Sequence, residues 1–167
     1  MKKDCRYYHL SGKKLTDKLE PYGFFERVSD DELKYWYPIS NSPPIFPISN
    51  VKESCFATTI EGALFGVYSD YDKPGKMFVY CTNEKPDVDL TDETVQDFGI
   101  IQEVRYRRPV NIKQKCVIDV DKNIIDEIKK CHFETEEGEV FFNDDCGRIV
   151  KNKLRRKLKK ETDCYDN

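Results

Sequence analysis

Two histidines and seven cysteines are the side chains of this 167-residue chain best suited to nucleophilic or acid–base chemistry. A cysteine–histidine pair would need a thiolate close to His9 or His132. Cys131 directly precedes His132, so on a strand their side chains would point to opposite faces and would not act together. The glycine-rich loops that hold nucleotide phosphates, Gly-x-x-x-x-Gly-Lys-Ser/Thr and Gly-x-Gly-x-x-Gly, do not occur in the sequence.

His9 and Glu103 remain as candidates, and each has a structural alternative. A lone histidine in a strand could simply complete a hydrogen bond within the fold. Glu103 lies in the alternating segment Ile101–Arg107, where Arg105 or Arg107 could be its salt-bridge partner on the same strand face. The residue types alone leave both interpretations open.

The spacing of the cysteines predicts free thiols. Their number is odd, no Cys-x-x-Cys pair occurs, and no cluster of histidines lies near them. We therefore expect seven reduced thiols, no metal site and a cytoplasmic protein, in the host cytoplasm if a phage encodes it. The seven are Cys5, Cys55, Cys81, Cys116, Cys131, Cys146 and Cys164.

Length, charge and hydropathy restrict the function classes. The chain is of single-domain length, and 38% hydrophobic residues can close one core. The 28 basic and 31 acidic residues nearly cancel, so a nucleic-acid contact would need a local patch. The apolar runs are far shorter than the roughly 18–20 residues of a membrane span, so we expect no membrane partner.

Local patterns predict an α+β domain over residues 1–120. Thr58 and Glu61 have the spacing of a capping box, so a helix should begin there and continue over Ile60–Tyr68. Lys13–Leu19 is predicted to be a short helix, and 88–96 a polar connection. Strands are predicted at 6–10, 51–56, 76–82, 101–107 and 110–120.

The remaining residues, 121–167, are predicted to form a C-terminal extension packed on the same domain. We expect a short helix around Ile124–Ile128 and a hairpin over His132–Phe142 that turns at Glu137–Gly138. Arg148–Lys160 holds eight basic residues and no acidic ones. Its apolar residues recur every four positions, which predicts an amphipathic helix whose cationic face is solvated or contacts phosphates.

An aromatic and proline-rich segment, Tyr35–Pro47, interrupts the predicted elements. Four prolines deny the backbone hydrogen-bond donors, so a long loop is expected. Loops of this length are used as lids over binding sites or are packed on the core, and both interpretations stay open.

Three segments, in order, resemble the ADP-ribosyltransferase fold of the diphtheria-toxin and poly(ADP-ribose) polymerase type. Tyr7–Ser11 is similar to that family's opening strand, which carries a histidine. Cys55–Ala57 and the helix holding Phe65 look like the strand and helix behind its nicotinamide pocket. Gln102–Lys113 is similar to the late strand that begins with the catalytic glutamate. Small bacterial and phage proteins show a similar opening pattern.

The resemblance implies NAD as substrate and Glu103 and His9 as catalytic residues. The histidine would hydrogen-bond the adenosine ribose. The carboxylate would stabilise the oxocarbenium character that develops as the nicotinamide–ribose bond breaks. An aromatic ring, either Phe65 or one within Tyr35–Tyr37, would stack on the leaving base. The NAD-binding residues implied are His9, Ser11, Cys55, Phe56, Ala57 and Phe65.

The sequence departs from the family pattern at Cys55 and Phe65, where the family has tyrosines, and near Gly62, where it has a serine. We expect two small, mostly antiparallel sheets with flanking helices, and either NAD-dependent ADP-ribosyl transfer or binding of an ADP-ribose-type nucleotide in a degenerate cleft. The alternative is a non-catalytic phage or bacterial interaction protein. It would bind a protein or nucleic acid through the aromatic loop and Arg148–Lys160.

Overall fold

The computed structural model describes residues 5–24, 52–69, 71–91, 98–138 and 140–165. The predicted aromatic loop, Tyr35–Pro47, lies outside these residues. The strands are β1 (Tyr7–Ser11), β2 (Lys18–Leu19), β3 (Gly23–Phe24), β4 (Lys52–Ala57), β5 (Gly75–Thr82), β6 (Val88–Leu90), β7 (Glu103–Tyr106), β8 (Val110–Asn111), β9 (Lys113–Val120), β10 (His132–Glu134) and β11 (Val140–Phe142). The helices are α1 (Ile60–Tyr68), α2 (Phe98–Ile101), α3 (Lys122–Lys129) and α4 (Asp144–Glu161).

The described strands form an antiparallel sheet with the order β6-β7-β4-β1-β5-β9, and β3 also pairs with β4. Two two-stranded ribbons, β10-β11 and β2-β8, complete the β structure of this part of the chain. The predicted α+β class is confirmed, since helices flank antiparallel strands.

The centre of the sheet is weakly joined where β1 meets β4. β1 pairs with β5 along its whole length, from Tyr7 opposite Thr82 to Ser11 opposite Phe78. Within the described residues, its register with β4 consists of one pair, Tyr8 opposite Ala57. The two strands therefore part beyond this pair, and the sheet opens a gap between them.

Helix α1 covers the predicted residues, which confirms Ile60–Tyr68, but its N-cap is Thr59. The backbone N–H of Gly62 donates to Thr59 Oγ1 at 2.9 Å. The expectation that Thr58 caps the helix is wrong, because Thr58 lies one residue before the N-cap; its backbone N–H donates to the carbonyl of Gln102.

The packing of α1 requires the glycine at position 62. A Cβ at this position would lie 2.3 Å from the carbonyl oxygen of Ile101, so the close approach of α1 to the end of α2 needs a glycine.

The C-terminal elements share a core with the sheet. Val150, Leu154 and Leu158 are buried on one side of α4, so the predicted amphipathic helix is confirmed. They belong to the same cluster as Leu64 of α1 and Ile118 of β9. The predicted hairpin forms as β10 and β11, with Gly138 in the left-handed region at φ +83°. No described helix is long and apolar enough to cross a bilayer.

Two local predictions are wrong. Lys13–Leu19 is not a helix, because Lys18 and Leu19 pair with β8 and bury Leu19 against the second, smaller core cluster. Val88–Leu90 is the edge strand β6 rather than a polar connection: its two apolar side chains are buried and Asp89 between them is exposed. In both segments, pairing with a distant strand outweighs the local pattern.

The expectation of seven free thiols is wrong as well. Cys5 is joined to Cys81, and Cys116 to Cys164, by disulfides. The pairing of β1 with β5 places Tyr7 opposite Thr82, which brings Cys5, two residues before β1, close to the end of β5. The return of the chain after α4 likewise brings Cys164 to β9. Cys55, Cys131 and Cys146 are free.

Candidate functional site

A cavity of about 250 Å³ lies where β1 and β4 part, and we call it the central cavity. Five of the residues singled out in the sequence line it: His9, Cys55, Phe56, Ala57 and Glu103. The opposite wall is apolar and comes from α1 and α2, with Ala63, Gly66, Val67 and Ile101. The parted strands thus hold a histidine and a carboxylate that are far apart in sequence.

The alternation of side chains along each strand would by itself put His9 and Glu103 on opposite faces of the sheet. Tyr7 packs with the smaller core cluster and Tyr8 with the larger one, so His9 belongs to the face of the smaller cluster. Val104 belongs to the smaller cluster, so its neighbour Glu103 points to the other face. Both reach the central cavity because it lies in the gap between strands.

His9 is held in one tautomer. Its Nδ1 lies 2.8 Å from the carbonyl oxygen of Cys55, and since a carbonyl only accepts, Nδ1 carries the proton. Burial lowers the pKa of His9, while this backbone hydrogen bond acts in the opposite direction. The neutral ring therefore keeps Nε2 as an acceptor. Two aromatic rings flank it, Phe56 at 5.2 Å and Tyr22 at 5.8 Å between centroids.

Glu103 is part of a network of four charged side chains. Arg105 Nη2 lies 3.1 Å from Glu103 Oε2, and Arg105 Nη1 lies 3.2 Å from Glu53 Oε2. Arg107 Nε lies 3.0 Å from Glu53 Oε1. The network is nearly buried and carries no net charge. Of the two salt-bridge partners considered for Glu103, Arg105 is the one that contacts it and Arg107 contacts Glu53 instead.

Cys55 cannot serve as a nucleophile in this state. Burial raises the pKa of its thiol well above the usual value, and the charge of the neighbouring Glu103 raises it further. A thiol that stays protonated is a poor nucleophile. Cys55 is instead a wall of the cavity and a neighbour of the Glu103 carboxylate.

Gln102 positions Glu103 through an unusual backbone conformation. It is the only described residue other than glycine with a positive φ, +57°, a conformation that costs on the order of 1–3 kcal/mol. Its side-chain amide donates to the carbonyl oxygens of Thr91 and Gly99, each at 3.1 Å, and its own carbonyl accepts from Thr58. These contacts hold the turn that places Glu103, the first residue of β7, at the cavity.

Two residues implied by the resemblance lie elsewhere. Phe65 is completely buried in the larger core, with its ring 5.0 Å from that of Phe142, so it cannot stack on a ligand. Ser11 ends β1 and donates through Oγ to the carbonyl of Lys13 at 2.7 Å, a local turn contact outside the cavity lining.

The sequence analysis missed Tyr22 as a cavity residue. Its ring lies next to His9, and the residue is 55% exposed at the rim. The one sequence signal for it is an aromatic residue between Pro21 and Gly23. The aromatic residues at 35–37 lie outside the described residues.

The central cavity suits a ring-sized part of a ligand. Pockets for drug-sized molecules enclose roughly 300–1,000 Å³, somewhat more than it offers. Its aromatic rings, neutral histidine acceptor and carboxylate fit a heterocyclic base or a ribose. Elsewhere, ligand atoms of Cys116, Asp163 and Cys164 lie within 4.8 Å of one another, but both sulfurs are in a disulfide and offer no thiolate to a metal. No protein-family model, curated protein or solved structure matches this chain.

Proposed function

We propose that the central cavity binds the nicotinamide–ribose part of NAD and that the protein transfers ADP-ribose or, in a degenerate form of the activity, binds an ADP-ribose-type nucleotide. One observation carries the proposal: His9 and Glu103, 94 positions apart in sequence, line one cavity together with Phe56. This is the set of groups that cleavage of the nicotinamide–ribose bond needs.

Each group has a role that follows from its state. His9 Nε2 would accept a hydrogen bond from a ribose hydroxyl and so orient the sugar. Glu103 would stabilise the positive charge that develops on the ribose and hold its 2′-hydroxyl. Tyr22 takes the stacking role assigned to Phe65 by the resemblance, because its ring lies at the rim beside His9.

Arg105 sets the strength of this chemistry. Its guanidinium contacts the carboxylate of Glu103 and holds it in one orientation, which favours binding. The same positive charge offsets part of the carboxylate's attraction for a cationic transition state. We therefore expect the protein to bind the nucleotide tightly and to cleave it slowly.

The test compares Glu103→Gln with wild-type protein in NAD, and chromatography measures released nicotinamide. We expect Glu103→Gln to lower the rate about 100-fold or more, since removing one preorganised electrostatic group costs roughly 10²–10³ in rate. Glu134→Gln, on the exposed strand β10, is the matched control and should leave the rate unchanged.

Ligand binding is measured separately by thermal unfolding with NAD, ADP-ribose and nicotinamide. A ligand at 100 times its dissociation constant stabilises the protein by about 2.7 kcal/mol. Stabilisation without nicotinamide release would identify the degenerate, binding form of the site. Wild-type protein that shows neither release nor stabilisation would contradict the proposal.

The cytoplasmic location expected from free thiols is not part of this proposal. Cys5–Cys81 and Cys116–Cys164 are disulfides, and such bonds persist chiefly in oxidising compartments.

A further inference from the structure

The basic helix α4 is largely neutralised by the protein itself. Apart from Arg155, which pairs with Glu61, five of the eight cations in Arg148–Lys160 contact acceptors within the described chain: Arg148 with Asp145, Lys151 with the carbonyl oxygen of Ile100, Lys153 with Glu127, Arg156 with the carbonyl oxygen of Asn152, and Lys157 with Asp121. A nucleic-acid surface needs a row of cations available to phosphates. The structure therefore weakens the interpretation of this helix as a nucleic-acid contact.

Two further cations of α4 face a second cavity, of about 380 Å³, together with Lys115 of β9. We call it the cationic pocket, defined by Lys115, Arg155 and Lys159. It lies against the beginning of α1, where Thr58 and Thr59 precede the first helical turn. Its volume is within the roughly 300–1,000 Å³ of ordinary small-molecule sites.

The lining of this pocket includes two buried polar atoms that have no hydrogen-bond partner within the described residues. One is Oε1 of Glu61, a residue only 3% exposed; the other is the hydroxyl of Tyr165. The two groups are neighbours, since burial and then the Glu61 carboxylate raise the pKa of Tyr165. Arg155 Nε lies 3.8 Å from Glu61 Oε1, which is an ion pair without a hydrogen bond. Buried polar groups are rarely left without a partner, because losing hydrogen bonds to water without replacing them destabilises the fold.

The cations and the Glu61 carboxylate of this pocket need two kinds of partner at once. Three cations require an anion, and phosphate is the anion that lysine and arginine bind best through charge-assisted hydrogen bonds. The buried carboxylate of Glu61 requires a donor, and a carboxylate is the group that binds the hydroxyls of a ribose in dinucleotide sites. A bare phosphate would leave Oε1 of Glu61 without a hydrogen-bond donor, and a neutral sugar would leave the net positive charge of the pocket without an anion.

We propose that the cationic pocket binds a phosphorylated sugar of the size of ribose 5-phosphate. The phosphate lies between Lys115 and Lys159, and the sugar hydroxyls donate to Glu61. The beginning of α1 adds the favourable field of a helix N-terminus. This site is separate from Glu103 and does not depend on the function proposed for the central cavity.

Isothermal titration of the intact, oxidised protein with ribose 5-phosphate, inorganic phosphate and ribose tests the proposal. We expect a dissociation constant for ribose 5-phosphate below about 1 mM, with inorganic phosphate and ribose each bound at least about tenfold more weakly. Lys115→Gln and Lys159→Gln should each weaken the binding of ribose 5-phosphate about tenfold, since each removes a charge-assisted hydrogen bond to the phosphate.

Glu61→Gln is expected to abolish the preference for ribose 5-phosphate over inorganic phosphate while phosphate itself still binds. Lys160→Gln is the matched control on the exposed side of the same helix and should change nothing. Melting temperatures establish that each variant folds.

Three outcomes would overturn the proposal. The first is the absence of ribose 5-phosphate binding, or binding that Lys115→Gln and Lys159→Gln leave unchanged in folded protein. The second is loss of that binding in Glu103→Gln, which would place the ligand in the central cavity. The third is a single-stranded RNA oligonucleotide that binds more tightly than ribose 5-phosphate and is weakened equally by Lys160→Gln, which would identify a nucleic-acid surface.

Discussion

The central cavity and the cationic pocket share Tyr8 as a wall and lie on either side of the turn between β4 and α1, but they differ in how their charges are used. In the central cavity the charge of Glu103 is already paired with Arg105. In the cationic pocket three cations face one carboxylate, and the ion pair between Arg155 and Glu61 is long. Pairing within the protein, more than the number of charged residues, decides which cavity attracts an ion.

The two cavities also differ in what holds their walls. Hydrogen-bonded strands carry the polar groups of the central cavity. The cationic pocket depends on the segment that follows α4, which the Cys116–Cys164 disulfide fastens to β9. A substitution can therefore remove the disulfide that supports the cationic pocket and leave the strand hydrogen bonds that support the central cavity in place.

The largest effect is expected from Cys164→Ser. Opening a cross-link between residues 48 apart should lower the free energy of unfolding by about 4 kcal/mol through chain entropy. Binding in the cationic pocket should suffer more than binding in the central cavity, because Tyr165 adjoins Cys164. Urea unfolding measures the stability, and Cys55→Ser, at a free cysteine, is the control.

Thiol counting gives this prediction an independent check. Labelling of denatured, non-reduced protein should find three thiols in the wild type. Seven labelled thiols would contradict the disulfides and the contrast between the two cavities that depends on them.

Arg105→Met should break the internal pairing of the central cavity. It leaves Glu103 without this partner and weakens the restraint on Glu53, whose side chain is 4% exposed. Breaking a buried ion pair from one side costs roughly 3–5 kcal/mol, and we expect about 3 because Arg107 still contacts Glu53. Arg148→Met, in an exposed pair, should cost less than about 1 kcal/mol in the same unfolding measurement.

Gly62→Ala should disturb both cavities at once, because α1 lines both. The added methyl group would collide with the carbonyl oxygen of Ile101, and overpacking of this kind costs about 1–3 kcal/mol. Gly66→Ala, one turn further along, meets only a side-chain carbon of Ile101 at 3.4 Å and should be neutral or slightly stabilising. Equal unfolding midpoints for the two variants would rule out the close approach.

The smallest expected effect is on the pH dependence of stability. It concerns His9, which lines the central cavity and not the cationic pocket. Because burial lowers the pKa of His9, the unfolded chain binds its proton first as the pH falls. The contribution to stability is therefore complete above the ordinary value of about 6.5 and declines below it. His9→Gln should flatten the stability profile below about pH 6.5, as measured by urea unfolding at a series of pH values; a wild-type profile that is already flat would refute the assignment.

Strong local patterns made much of the fold predictable. The cap-and-helix signal at residues 58–68, the hairpin turn at Gly138 and the apolar spacing of α4 each reflect interactions within a few residues. The cavity residues His9, Cys55 and Glu103 could be named because they stand in three ordered segments that resemble a known family, whereas their residue types alone left a structural role open.

The features that escaped prediction depend on contacts distant in sequence. The partner of Cys5 follows from the register of β1 with β5, and Val88–Leu90 becomes a strand only because β7 lies beside it. Tyr22 reaches the cavity, and Phe65 does not, because the packing of the whole domain decides their positions. No local pattern indicates the left-handed backbone of Gln102.

The two disulfides also determine how the molecule would respond to a pulling force. Tension applied between Cys5 and Cys164 passes through the sulfur bridges to Cys81 and Cys116, so the spans of 76 and 48 residues that they close carry no load. Cys81 and Cys116 lie on β5 and β9, whose pairing would resist the force in parallel with the intervening chain. If that pairing ruptured, only the roughly 35 residues between them could extend, by at most about 120 Å. His9, Cys55 and helix α1 would stay within closed covalent loops, mechanically shielded from the pull.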